Sequence, residues 1–432
     1  MKAAFYECDV TPPLGGFIWG YYKERYACDV IKRLYSKAVV IKNDESVVAI
    51  LTIDTCVIPE EMHEIVTKRI FEFTGIRPES VCISSNHTHL GAPVTDGAEV
   101  GCYADKAYKD VFFRLCADAV ILAYNRLEEV KLSFVEPTIN GISYCRNYEL
   151  EDGTLITHGR GRTNIKRALS EPDRAFPIIY FYGKNGILGT ISSFACHQDT
   201  MGGTYDVCGY AGDYASVLSD ELKAHYGHNF VSIFLLGCCG DINTANLTPD
   251  SFRYRYNHIG KELADSVIKN EGNATKMINK LSVVKESVRI ERRGIKDLTE
   301  ANKQLAELFH SNNTMVARNM LYYVSTNKAD YSDLFVQGIL LGEVYISLLP
   351  GEIYTNISRS IKANSPFEKN IVVENCNSYC GYIPSEEVFT EKCNLYEASL
   401  CYHSCHVPEA ASILKNKSIE LAKKLKQERY SK

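Results

Sequence analysis

The chain has 432 residues, 45% of them hydrophobic and 23% charged, with a formal net charge of -5. That length holds one large α/β domain with insertions, or two or three domains of average size. The mild acidity and the lack of any long block of Lys or Arg argue against a nucleic-acid partner or a polybasic membrane patch.

The N-terminus runs Met1-Lys2-Ala3-Ala4-Phe5-Tyr6-Glu7-Cys8-Asp9 and turns at Thr11-Pro12-Pro13. A secretory signal needs an apolar core of about 7–15 residues, which the acidic pair Glu7 and Asp9 interrupts. No stretch approaches the roughly 20 apolar residues that span a bilayer. The expectation is a cytoplasmic protein with no membrane insertion. Sixteen cysteines are scattered without repeated C-x-x-C pairs, and several (Cys82, Cys196, Cys238) sit in apolar runs. They read as reduced, mostly buried thiols.

In chain order, Ala38–Ile41 and Val47–Ile53 read as strands joined at Asn43-Asp44. A helical pattern follows from Glu60 to about Phe73, behind Pro59. Ser80–Ser84 is a strand that delivers the chain into Asn86-His87-Thr88-His89, and a long helix follows over about Lys106–Arg126. Ile187–Phe194 predicts a strand ending at Cys196-His197, and Val231–Leu236 one ending in Gly237-Cys238-Cys239-Gly240-Asp241. Helical patterns cover roughly Asp213–Ala224 and Arg255–Lys269. Leu281–Arg293 is β-like, whereas Leu298 to about Lys328 is polar and helical, and the stretch 298–330 reads as an insertion. Leu334–Leu341 and Val344–Leu349 lead into Pro350-Gly351-Glu352 and a helix, and an amphipathic helix covers about Pro408–Gln427. No linker and no internal repeat is visible. The alternation predicts an α/β fold, a mixed or largely parallel central sheet flanked by helices, in a single domain over 1–432. Three apolar strands end in polar segments, ISSNHTH, SSFACH and FLLGCCGD, so the expected site lies outside strand C-terminal ends.

Each segment also has an ordinary reading. His87 and His89 can be loop histidines bonded to backbone. His197 can be a buried structural residue, although Gln198, Asp199, Thr200, Gly202 and Gly203 follow it in a run that a ligand could approach closely. Asp241 can orient a histidine or a cation. The vicinal Cys238-Cys239 pair offers a thiol nucleophile with a nearby histidine as base. Pro350-Gly351-Glu352 can be a turn into a helix whose N-terminus favours the carboxylate. Asn377–Pro384 can be an aromatic loop.

Together and in order, these segments resemble the neutral (alkaline, non-lysosomal) ceramidase family. The likeness runs through Asp9-Val10-Thr11-Pro12-Pro13, Trp19-Gly20-Tyr21, Asn86-His87-Thr88-His89-Leu90-Gly91-Ala92-Pro93, Phe194-Ala195-Cys196-His197, Gly240-Asp241-Ile242-Asn243, Pro350-Gly351-Glu352, Gly381-Tyr382-Ile383 and Tyr396-Glu397-Ala398-Ser399. The resemblance implies a zinc ion held by His87, His197, Glu352 and Tyr382. It implies His89 beside the metal at the substrate amide, Tyr396 as donor to the carbonyl oxygen, and Arg146 as the substrate-side arginine. Gly20, Asp241 and Asn243 would lie behind the metal or along the substrate. The implied reaction is hydrolysis of a linear N-acyl amide by activated water. Where the family has a serine this chain has Asn243, and neither an export signal nor a C-terminal immunoglobulin-like domain is read in it. The expected substrate is therefore an amide smaller or more polar than membrane ceramide. An esterase, lactonase or deacetylase on the same centre is the nearest alternative. A non-catalytic ligand-binding protein, favoured by Asn243, is another.

Overall fold

The computed structural model describes every residue except 22–23, 98–100, 202–206, 248–255, 295–313, 328 and 431–432. The predicted Gly202-Gly203 pair, the helix start at Arg255 and most of the polar stretch from Leu298 lie outside the described residues.

The first layer contains β1 (Lys2–Asp9), β2 (Tyr35–Lys42), β3 (Val47–Ile53), α1 (Met62–Thr74), β4 (Val81–Ser85) and α2 (Lys106–Tyr124). Its sheet runs β4-β3-β2-β1, closed by the short strand Glu128–Glu129. Alternation gives each strand two apolar faces. Val39, Ile41, Val48 and Ile50 point to one core, and Ala38, Val40, Ala49 and Leu51 point to another beneath α1 and α2.

The second layer repeats the plan with β5 (Lys131–Val135), β6 (Ile178–Gly183), β7 (Gly186–Phe194), α3 (Asp213–Tyr226), β8 (Val231–Leu236) and α4 (Tyr256–Asn270), in sheet order β8-β7-β6-β5. The third contains β9 (Leu281–Glu291), α5 (Thr314–Thr326), β10 (Tyr331–Leu341), β11 (Val344–Leu348), α6 (Thr355–Asn364), β12 (Lys369–Val373) and α7 (Ala410–Tyr430), in sheet order β9-β10-β11-β12.

Each sheet has one parallel pair, β3–β4, β7–β8 and β11–β12, and in each the two strands are joined through a helix, α1, α3 or α6. The other strand pairs of these sheets are antiparallel. Short turns at Lys184-Asn185 and Gly342-Glu343 allow only hairpins, whereas a parallel return needs a crossover. Of the mixed or largely parallel central sheet expected from the alternation, the mixed form is found, spread over three main sheets. Their inner faces meet in a shared core that includes Ile50, Phe181, Ile191, Ile233, Ile339, Ile346 and Ile371. Paired helices cover the outer faces, α1 with α2, α3 with α4, and α6 with α7.

At one end the sheets are stitched together. Ser85 N donates to Asn375 O at 3.2 Å, and Glu374 N donates to Leu236 O at 3.0 Å. No described helix is long and apolar enough to cross a membrane, and all sixteen cysteines are free thiols.

Candidate metal centre

The stitched end gathers the chain where it leaves β4, β7 and β11. Two residues past β4, the backbone turns at His87, which has φ +64°. That left-handed conformation is uncommon for a residue with a side chain and costs about 1 kcal/mol or more. It is held by His87 N donating to Thr55 O and Asn86 N donating to Ile53 O. His197 lies three residues past β7, and Glu352 follows β11 through Pro350-Gly351. Gly351 has φ +75°, and a Cβ there would lie 2.4 Å from Gly381 O. Only glycine lets the Glu352–Ile353 strand lie against Tyr382–Ile383.

Three ligand-type atoms converge. His87 Nε2 lies 3.1 Å from His197 Nε2, and Glu352 Oε2 lies 3.3 Å and 3.5 Å from those two nitrogens. A tetrahedral ion with bonds of about 2.0–2.1 Å has ligand–ligand edges of roughly 3.3–3.4 Å. The other ring nitrogens are committed to backbone: His87 Nδ1 to Cys56 O at 2.7 Å and His197 Nδ1 to Cys239 O at 3.1 Å. With Nδ1–H donated to a carbonyl, each Nε2 turns a lone pair inward. Glu352 Oε1 accepts from Tyr379 O–H at 2.8 Å, while its buried Oε2 has no hydrogen-bond partner. An orphaned carboxylate oxygen facing two imidazole lone pairs is costly unless a cation joins them.

The electrostatics carry the same demand. Burial opposes charge on His87, but the Cys56 thiol and Glu352 outweigh it and raise its pKa well above the usual value. His197 is held well below, by burial, Arg146 and His87. His89 is also held well below, by burial first and then by His87, Arg25 and Arg146. Burial raises the Glu352 pKa, yet His87 and Arg146 bring it below the usual carboxylate value.

The other predicted residues take up different places. His89 Nε2 lies 3.4 Å from His87 Nε2, at the edge of the cluster. Gly20, at φ +120°, presses on its ring: a Cβ there would lie 2.9 Å from His89 Cγ. Tyr382 is paired in register with Glu352, and its hydroxyl lies close enough to the Glu352 carboxylate to help hold the carboxyl pKa down. The Tyr396 hydroxyl lies 3.4 Å from that of Tyr382. Arg146 is buried, donates from Nε to Glu397 at 2.9 Å and from Nη2 to Gly240 O at 2.6 Å, and spreads over the Tyr382 and Tyr396 rings. Asp241 does not orient a histidine. Its Oδ1 accepts from Thr355 N at 2.8 Å, at the start of α6. Asn243 accepts from Thr244 N at 2.6 Å and lines a cavity beside Arg146. The vicinal cysteines are buried, and burial together with Glu374 pushes both thiols well above their usual pKa, the reverse of an activated nucleophile.

Several supporting contacts are not predicted from the sequence. Glu374 accepts from Cys239 N and Ile353 N, and so ties together the loops behind His197 and Glu352. Burial and then Glu352 push its pKa up to about 8. Tyr21 donates to Asp199, whose Oδ1 lies 3.9 Å from His89 Nδ1. Buried Arg25 donates to His89 O at 2.8 Å and covers the Tyr21 ring. A charged residue inside an otherwise apolar strand end, as in IVVENCN, is the signal that could have exposed Glu374.

No family model matches the chain, and no curated protein matches it. Among solved structures, the neutral ceramidase from Pseudomonas aeruginosa aligns with TM-score 0.71 and 16% identity, over 99% of this chain and 74% of that one. A ceramidase complexed with C2 aligns with TM-score 0.70 and 16% identity, over 99% and 75%. The chain therefore has the neutral-ceramidase fold along nearly its whole length.

Proposed function

We propose that the protein is a zinc-dependent hydrolase that cleaves a linear amide, an N-acyl bond, in a substrate smaller or more polar than membrane ceramide. The observation that carries this reading is the convergence of His87 Nε2, His197 Nε2 and the unpartnered Glu352 Oε2 at tetrahedral spacing. Two imidazoles, a carboxylate and the Tyr382 phenol make a borderline donor set suited to zinc. Bound there, zinc supplies Lewis acidity, bringing the ionisation of water towards about pH 7 and polarising a carbonyl.

The chain's own groups do the rest. His89, held neutral by burial and nearby cations, can take a proton at Nε2 and return it to a departing amine. Tyr396, kept protonated by burial, can donate its O–H to a carbonyl oxygen as charge develops there. Arg146 places a fixed positive charge behind both tyrosines. We further place the protein in the cytoplasm, as one domain acting on a small molecule without nucleic-acid or membrane-inserted partners. The free thiols support that compartment.

The test strips the protein with a chelator, restores zinc, and offers matched amides and esters. Hydrolysis of amides that follows zinc content is the expected result. Turnover of esters alone would move the reading to an esterase. Full zinc occupancy without turnover on a broad panel would make this a binding protein. A second measurement isolates His89. Gly20→Ala is expected to retain zinc but lose about 10- to 100-fold in turnover, because the new methyl displaces the imidazole by a fraction of an ångström or more. Unchanged turnover would remove His89 from the reaction.

A further inference from the structure

Beside the metal centre lies a cavity of about 240 Å³ whose wall includes Arg146, Tyr148, His158, Arg160 and Asn243. Arg146 belongs to both: it lines the cavity and lies over the Tyr382 and Tyr396 rings. The His158 ring stacks on Tyr396, with centroids 6.5 Å apart. A molecule filling the cavity therefore abuts the residues that flank the metal ligands.

The wall carrying Arg160 is built rather than loose. It springs from a small sheet of strands Asn147–Leu150, Leu155–Thr157 and Ile165–Ala168. His158 takes a left-handed backbone, φ +62°, while its N–H donates to Arg146 O at 2.7 Å. The next residue, Gly159, is pressed between Ile165 and the Tyr148 ring so closely that a Cβ would lie 2.7 Å and 2.8 Å from them. This packing fixes the backbone from which His158 and the exposed Arg160 line the cavity.

The charge is one-sided. Among the described residues, the cavity's lining contains two arginines and no carboxylate. Arg146 is paired with Glu397 at 2.9 Å. Nearby Lys166 and Arg167 share Glu149 as a partner, at 2.5 Å and 2.7 Å. Among the described residues Arg160 has no such partner, and Asn243 offers an amide on the same wall. A guanidinium left free in a concave site favours a planar anion that it can bind through two parallel N–H bonds.

We propose that this cavity receives the carboxylate of an anionic amide, of the N-acyl amino acid class, with Arg160 as the residue that selects it. The proposal rests on the hydrolase reading above and deepens it by naming the substrate class. The probe is 4-oxononanoate, in which a methylene replaces the amide nitrogen of N-hexanoylglycine, so that binding is read without turnover. Calorimetric titration compares it with its methyl ester, on wild type and on Arg160→Gln. The carboxylate is expected to bind wild type about tenfold more tightly than the ester, and the preference should vanish in Arg160→Gln. Equal binding of acid and ester to wild type would overturn the proposal. So would a preference that survives in Arg160→Gln, since the carboxylate would then be going elsewhere, to the metal for example. Selective binding without hydrolysis of N-hexanoylglycine would uphold the anion site while counting against the amidase reading, so the two can fail separately.

Discussion

In His197→Ala, zinc is expected to fall from about one equivalent per chain to about a tenth or less, with amide hydrolysis reduced at least about 10⁴-fold, roughly 5 kcal/mol in the barrier. The change removes one of three converging donors at a buried position whose Nδ1 faces only Cys239, its carbonyl at 3.1 Å and its thiol at 3.7 Å. Metal content by mass spectrometry and turnover should therefore fall together. His89→Ala is the control, for it should keep zinc and lose only turnover. A His197→Ala protein with wild-type zinc would mean that the imidazoles pack the interior and hold no ion.

Arg146→Ala is expected to cost about 3–5 kcal/mol of stability, because it leaves the fully buried Glu397 carboxylate without its cation. Thr157 also donates to Glu397, at 2.7 Å, but one hydroxyl does not balance a buried charge. The carbonyl of Gly240 loses its donor as well. The urea midpoint should fall accordingly. The double variant Arg146→Ala/Glu397→Gln should recover a clear part of the loss, because a neutral amide needs no counter-charge. If the single variant unfolds at the wild-type midpoint, the pair contributes nothing net and Arg146 acts only on substrate.

Much of the element pattern is written locally. Val47–Ile53 and Val231–Leu236 are bare apolar runs, and the long helix over Lys106–Tyr124 has a 3.6-residue pattern with Asp105 capping its first turn. β1 passed unread because its buried residues are interrupted by Tyr6, Glu7 and Cys8, which are only half covered. β5, β6 and β12 are not predicted either, although β4, β8 and β11 are equally short. The threefold repetition of hairpin, helix and parallel strand left no trace in the residues. Sheets need only alternation, not particular side chains, so three unrelated segments can adopt one plan.

The site was legible in a narrower way. His87, His197 and Glu352 were singled out by resemblance and by their position after apolar strands, and the structure brings these three together. Their supports were not legible, because Glu374, Tyr379 and Arg25 act through contacts 21 to 135 positions distant in sequence. Asp241, read as lying behind the metal or along the substrate, accepts from the backbone N–H that opens α6, a contact the sequence does not announce.

Each of the three sheets contributes one donor, and the donors are made at different times. About 260 residues separate His87 from Glu352, so at about 5–20 residues per second the ribosome needs some 10–50 s to supply the carboxylate after the first imidazole. On the proposed zinc reading the donor set is complete only once Glu352 and then Tyr382 have been made, so metal loading would follow synthesis of the third layer.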